Sequence, residues 1–143
     1  MYFICTHSNA IIKSPKTPIG LSSVGKPLSV RYEWENTLTN LHIDINEESL
    51  WRYASVLPKI KERVTLGEGF TPLIPISEKI FVKNETVNPT GSFKDRGMSL
   101  AISMAKEQKV ENICLPSAGN AGISAAAYSK EAGINCHVFL PES

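Results

Sequence analysis

Two strand–turn–helix junctions constrain this chain more than any other feature: Asn88-Pro89-Thr90-Gly91-Ser92-Phe93-Lys94-Asp95-Arg96-Gly97 and Pro116-Ser117-Ala118-Gly119-Asn120-Ala121-Gly122. In each, a β-like stretch meets a helical pattern through a turn rich in Gly, Ser, Thr and Asn. Such turns leave backbone N–H groups unpaired at a helix N-terminus, where the helix dipole favours an anion. The first junction also places a lysine just inside its helix.

The segments around the junctions follow the same alternation. Lys79–Lys83 reads as a strand after a Thr71–Ser77 loop, and Lys94–Gln108 as a helix with Met98, Ala101, Ile102 and Ala105 on one face. Asn112–Pro116 reads as a second strand, Asn120–Glu131 as an alanine-rich helix and Asn135–Leu140 as a third strand. Strands alternating with helices of this length predict crossover units, an open parallel sheet and an α/β fold. Ala121, Ala125, Ala126 and Ala127 predict close approach of a buried crossover helix to that sheet. Upstream, Asn46 is a suitable N-cap for a helix whose Leu50, Tyr53, Ala54 and Leu57 share one face, and Pro58 limits it. Trp51 and Tyr53 read as packing residues.

Composition adds bounds. With 143 residues, 42% hydrophobic and 20% charged, the chain has the make-up of a globular domain with a real core. A formal net charge of +1 gives no case for nucleic acid or an anionic membrane, and no apolar run approaches the ~20 residues of a spanning helix. Met1-Tyr2-Phe3-Ile4 is too short for the apolar region of a signal peptide. Cys5, Cys114 and Cys136 are few and widely spaced, which suits reduced thiols in a cytoplasm. Cys114 and Cys136 lie in strand patterns and read as small buried hydrophobes. His7, His42 and His137 are scattered and carry no signal.

Lys94 is the residue with chemistry to offer. A primary amine can condense with an aldehyde and later accept a proton, and partial desolvation brings its pKa toward the working range. One amine beside an anion-binding turn is what an aldehyde cofactor with acidic substituents requires. The bland alternative is a solvated lysine at a helix start. Asp95 and Arg96 read as structural, the former complementing the helix dipole and the latter pairing with a carboxylate or with substrate phosphate. By its local position alone, Asn120 is also readable as an ordinary N-cap.

The run from Asn88 to Gly97 resembles the cofactor-lysine segment of threonine synthases, which belong to the tryptophan-synthase-like, fold type II pyridoxal-phosphate enzymes. Leu50-Trp51-Arg52-Tyr53 through Leu57-Pro58, Gly67-Glu68-Gly69-Phe70-Thr71-Pro72-Leu73 and Ser117-Ala118-Gly119-Asn120 agree in order and spacing. The resemblance implies pyridoxal 5'-phosphate as cofactor, with Lys94 catalytic and Lys94, Phe93 and Asn120 contacting the cofactor. It implies a substrate site at Ser117, Ala118, Gly119 and Asn120, although Ala118 and Ala121 stand where relatives often carry hydroxyls. The implied reaction converts O-phospho-L-homoserine and water to L-threonine and phosphate, in a cytoplasmic homodimer acting on a small phosphorylated amino acid. The alternatives are a threonine or diaminopropionate ammonia-lyase, and a non-catalytic binding protein that kept the motifs.

In the same resemblance, the glycine-rich loop for the cofactor phosphate and the hydroxyl residue facing the pyridine nitrogen lie further toward the C-terminus. Residues 1–143 contain neither, and the last segment is a strand exit without a covering helix. The expectation is an N-terminal portion of a longer enzyme, inactive by itself, with residues 46–143 opening the catalytic region. Residues 1–45 follow the layout of the small zinc ribbon that opens many threonine synthases. Only Cys5 of its four thiolates is present; Ser8, Leu21 and Val24 take the other places, and His7 alone does not complete a metal site. No metal is expected, and the segment should be a ribbon-derived β-meander with Cys5 inert.

Overall fold

The computed structural model describes residues 2–13, 19–32 and 43–142. The chain divides into two compact units, Met1–His42 and Ile43–Ser143. His42 lies outside the described residues.

The first unit is a three-stranded antiparallel sheet of β1 (Tyr2–Cys5), β2 (Ile11–Lys13) and β3 (Leu28–Arg31). Its order is β2-β1-β3, so β1 is central. This corrects the expected meander, in which the middle strand of the sequence would be the middle strand of the sheet. The first turn is closed by two hydrogen bonds: Cys5 N donates to Ala10 O at 2.9 Å, and Ser8 N donates to Cys5 Sγ at 3.4 Å. Fully buried Cys5 donates in turn to Ser22 Oγ at 3.2 Å, which also receives Lys26 N at 3.1 Å. The side chain facing Cys5 is therefore Ser22. Leu21 and Val24, which take two of the ligand places by spacing, are 58% and 55% exposed.

In the second unit the α-helix expected from Asn46 is absent. A 3₁₀-helix spans Leu50–Tyr53 with Ser49 as N-cap, its hydroxyl accepting from Trp51 N at 3.1 Å. Asp44 Oδ1 captures Asn46 N at 3.0 Å, and Leu50 N bonds to Glu68 O at 2.7 Å. Those tertiary and local partners take the donors an α-helix would have used. Trp51 is buried as expected, its Nε1 donating to Ser99 Oγ at 3.1 Å, whereas Tyr53 is 39% exposed.

Strands β4 (Leu73–Pro75) and β5 (Phe81–Lys83) form an antiparallel hairpin. The Thr71–Ser77 stretch thus contains a strand, and the strand near Lys79 pairs back onto it rather than entering the parallel ladder. All six hairpin strand residues are exposed, so Leu73, Ile74, Phe81 and Val82 leave both faces apolar and uncovered. A 3₁₀ turn, Glu85–Val87, capped by Asn84, leads to the lysine junction.

Helix α1 (Lys94–Glu107), strand β6 (Asn112–Pro116), helix α2 (Asn120–Ala132) and strand β7 (Asn135–Phe139) follow the predicted order. β6 and β7 pair in parallel, Asn112 opposite Asn135 through Pro116 opposite Phe139, with α2 as crossover. Gly122 permits that crossover to sit close: a Cβ there would meet Val138 Cγ1 at 2.9 Å and Ser117 O at 3.2 Å. Val64, Ile102, Tyr128 and Ile134 form the buried core, with Met98, Ala105 and Ile113 packed against it.

The inner face of α1 is more polar than its periodicity predicts. Ser99 and Ser103 are fully buried, whereas Ala101 is exposed. Their hydroxyls explain the exchange: Ser99 Oγ donates to Val64 O at 2.8 Å and Ser103 Oγ accepts from Val64 N at 2.8 Å. Both backbone groups of one core residue are satisfied by helix side chains. Cys114 is exposed and Cys136 half-buried, which corrects the reading of both as buried thiols. Among the described residues no helix is long and apolar enough to cross a membrane.

Candidate active site

Lys94 is the first residue of α1. Its backbone N–H donates to Ser92 Oγ at 3.3 Å, and its Nζ stands 4.3 Å from the centroid of the Phe93 ring. The lysine is half-buried and Phe93 is exposed. Among the described residues Lys94 forms no ion pair. Its amine is therefore not committed to a structural carboxylate.

The turn carrying Lys94 is held from two sides. On one side Arg96 grips Glu85 with both Nε and Nη2, at 2.7 and 2.8 Å. Thr71 Oγ1 and Asn88 Nδ2 donate to the same carboxylate at 2.7 and 2.9 Å. Asn88, the first residue of the motif, also accepts from Gly69 N at 3.0 Å. Of the two partners the sequence left open to Arg96, a carboxylate or a substrate phosphate, the described residues supply the carboxylate. On the other side fully buried Asp95 accepts from Thr90 N at 2.7 Å, from Thr90 Oγ1, and from Ser124 Oγ of α2 at 2.6 Å. The starts of α1 and α2 are joined through that carboxylate.

The second junction is arranged around Ser117. Its Oγ accepts from Gly122 N at 2.9 Å and from Gly119 N at 3.3 Å, so this hydroxyl serves the turn itself. Gly119 is the N-cap of α2 and Asn120 its first helical residue, with no side-chain capping bond. The ordinary N-cap role is therefore not what Asn120 does; its carboxamide is exposed and has no hydrogen-bond partner among the described residues. Ala118 and Gly119 are exposed as well. No hydrogen bond among the described residues joins Lys94 itself to residues 117–120.

A third element supports both junctions. Glu68, in the Gly67–Leu73 loop, is fully buried and accepts from Tyr128 OH of α2 at 2.8 Å, from Leu66 N at 3.0 Å and from Thr65 Oγ1. Burial first, then the bond to Glu68, pushes the Tyr128 hydroxyl well above its usual range, so it remains a donor. Glu68, Glu85, Ser124 and Tyr128 were not legible as a network, because 60 residues separate Glu68 from Tyr128 and 29 separate Asp95 from Ser124. The flanking glycines of Glu68 were the one available signal. Among the described residues no group of three or more His, Cys, Asp or Glu could hold a metal ion.

The Glu85 cluster sets an acid limit on this arrangement. Its hydrogen bond with Arg96 holds the Glu85 carboxyl down at about 2, below its ordinary 4.5, with Thr71 and Asn88 adding to the effect against burial. The stabilisation is complete above the ordinary value and is lost as pH falls through the folded-state value. Its partial exposure limits the worth of the cluster to about 1 kcal/mol. Thermal unfolding of wild type and Glu85→Gln should differ most above pH 4.5 and converge as the pH approaches 2. A difference independent of pH would show that the carboxylate charge does not hold the turn.

Comparison with known proteins agrees with the geometry. A family model described as pyridoxal-phosphate dependent enzyme matches residues 64–143. Threonine synthase of Halalkalibacterium halodurans is 46% identical over 108 residues, which cover 66% of this chain and 30% of that protein. The threonine synthase of Methanocaldococcus jannaschii is 39% identical over 131 residues, 82% of this chain and 32% of its own length. That of Mycobacterium leprae is 48% identical over 86 residues, 55% and 24% respectively. The chain thus spans about a third or less of the curated relatives it matches. Residues 64–143 contain both junctions, the buried Glu68 and the crossover unit, and on that match the chain belongs to the pyridoxal-phosphate dependent enzyme family.

Proposed function

We propose that this chain provides the lysine-bearing part of a threonine synthase, converting O-phospho-L-homoserine and water to L-threonine and phosphate. The observation that carries the reading is the Lys94 amine, uncommitted to any ion pair among the described residues, on a helix start tied to that of α2 through Asp95 and Ser124. Sequence identity of 39–48% to threonine synthases supports the choice of reaction.

The residues present suit part of pyridoxal 5'-phosphate. A primary amine fits its aldehyde, the exposed Phe93 ring lies beside that amine, and the exposed Asn120 carboxamide offers a donor for the ring oxygen. When bound, the cofactor supplies an electron sink for carbanion chemistry next to the substrate amine. Lys94 Nζ would hold the cofactor by its aldehyde carbon and, once the substrate amine replaced it there, would be free to move protons at the substrate Cα, Cβ and Cγ. The turn over Ser117, Ala118, Gly119 and Asn120 receives the substrate carboxylate on backbone N–H groups at the start of α2. Ser117 acts there by shaping the turn, since its hydroxyl is already bound to Gly119 and Gly122. Fixing both ends of the substrate selects which bond is broken, a matter of orientation.

Residues 46–143 are read as the opening of a catalytic region and residues 1–45 as a ribbon-derived module. The remaining length of the relatives is read as supplying the cofactor-phosphate loop and the partner of the pyridine nitrogen, so residues 1–143 alone support no turnover. The β4–β5 hairpin, apolar and exposed on both faces, is a surface that such additional chain would cover. A cytoplasmic homodimer completes the reading, consistent with three unpaired cysteines.

The test is a chimera of this chain with the unmatched part of the Halalkalibacterium halodurans relative. Given O-phospho-L-homoserine, it should release phosphate and threonine in equal amounts. Release of ammonia from threonine without any phosphate requirement would favour the ammonia-lyase instead, and no turnover of either substrate would favour a binding protein.

A further inference from the structure

We propose that Asp95 is a positioning residue: it latches the lysine-bearing turn to α2 and thereby sets where the Lys94 amine stands relative to residues 117–120. The inference rests on the reading of Lys94 as the cofactor-bearing amine, and adds to it the group that aims that amine.

A carboxylate can only accept hydrogen bonds, and one taken out of water needs donors for both oxygens. Asp95 is fully buried and has three: Thr90 N at 2.7 Å, Thr90 Oγ1, and Ser124 Oγ at 2.6 Å. Each donor set lies in a different segment. Thr90 belongs to the turn before Lys94, Asp95 is the residue after it in α1, and Ser124 lies in α2, one turn beyond Asn120. An Asp present only to complement the helix dipole would face solvent and would need no donor from another helix.

The opposite side of the same turn is held differently. Arg96 reaches Glu85 and Thr71, and Asn88 reaches Gly69 and Glu85; none of these lies on α2. Among the described residues the Asp95–Ser124 hydrogen bond is therefore the direct polar tie from the lysine turn to the helix that begins with Asn120. An asparagine at 95 keeps the volume and can keep its oxygen on Thr90 N, but its NH₂ group only donates, so the Thr90 and Ser124 hydroxyls must turn to accept. Every tie then loses the charge of the carboxylate and is weaker. Ser124→Ala removes only the tie to α2.

The experiment uses the whole chain with pyridoxal 5'-phosphate and borohydride. The amine and aldehyde condense with loss of water, and hydride then reduces the carbon–nitrogen double bond, leaving a stable mass tag. Peptide mass spectrometry gives the ratio of tag on Lys94 to tag on Lys106, a lysine further along the same helix. In wild type Lys94 should dominate. In Asp95→Asn and in Ser124→Ala the ratio should fall roughly tenfold, as expected for a misaimed reactive group, with helix content unchanged. Without any cofactor, amide exchange at Thr90 should also accelerate in Asp95→Asn, by roughly tenfold, because its N–H loses a charged acceptor. A purely structural role would lower the melting temperature and leave the labelling ratio intact.

Wild-type ratios in the folded variants would overturn the latch while leaving Lys94 as the cofactor amine. If Asp95→Asn does not fold, Ser124→Ala decides by the same ratio. A wild-type chain that tags Lys94 no faster than Lys106 would remove the reading of Lys94, and the latch with it.

Discussion

A Lys94→Ala chain is expected to lose most of the borohydride-trapped pyridoxal 5'-phosphate tag of the whole chain while keeping its fold. Alanine is a good helix former, and Lys94 is a half-buried helix-start residue without an ion pair among the described residues. The cost to stability should stay near 0.5 kcal/mol, the range of surface substitutions. The chemical cost is of another order. On the proposed reading, removing the amine would abolish covalent attachment, and removing its proton transfer alone would lower turnover of the completed enzyme by about 10²–10⁴-fold. The paired measurements are tag yield by peptide mass spectrometry and melting temperature by circular dichroism. Undiminished total tagging of the Lys94→Ala chain, carried by its other lysines, would sink the assignment of this amine. A large loss of melting temperature would instead show that the lysine is part of the scaffold.

The second large effect is structural. Gly69→Ala should destabilise the second unit by on the order of 4 kcal/mol, because two independent penalties fall on one residue. Its φ of +98° is a backbone conformation that side-chain-bearing residues rarely adopt. A Cβ there would also lie 2.7 Å from Leu50 N and 3.2 Å from Leu50 Cα, both backbone atoms that have no rotamer to change. The loop is further pinned by Gly69 N on Asn88 and by Glu68 O on Leu50 N, so it cannot retreat without breaking the support of the lysine turn. Gly67→Ala separates the two penalties. Gly67 has a similar φ of +90° but nothing within 4 Å of its ideal Cβ. Its substitution should cost only about 1–2 kcal/mol. At this size the expected drops in melting temperature are roughly 15 °C or more and about 5–10 °C. Equal drops for the two variants would mean that the close approach to Leu50 contributes nothing.

Some of this protein was readable from residues alone. Lys94–Gln108, Asn112–Pro116, Asn120–Glu131 and Asn135–Leu140 match the observed elements to within a residue or so, and the parallel pairing of β6 with β7 follows from the helix between them. Those segments carry their own instructions: period 3.6 or alternation along the strand, with glycine-rich turns at the borders. The position of Lys94 at a helix start belongs to the same class, because the turn before it is local. The carboxylate partner of Arg96 was likewise foreseeable in kind, although not as Glu85.

The remainder was decided by contacts between segments far apart in the chain. Residues 50–57 have helical spacing, yet only Leu50–Tyr53 wind up, as a 3₁₀-helix, because Leu50 N finds Glu68 O and Ser49 caps Trp51. Ser99 and Ser103 displace Ala101 from the inner face of α1 because Val64 brings an N–H and a carbonyl that only hydroxyls can satisfy. The aim of the lysine turn, fixed by Asp95 on Ser124 and by Glu68 on Tyr128, depends on donors 29 and 60 residues away. Local periodicity tells a segment which face is apolar; a buried carboxylate or backbone group acquires its partner only when the chain has closed around it, since its desolvation must be met by whatever donor arrives there.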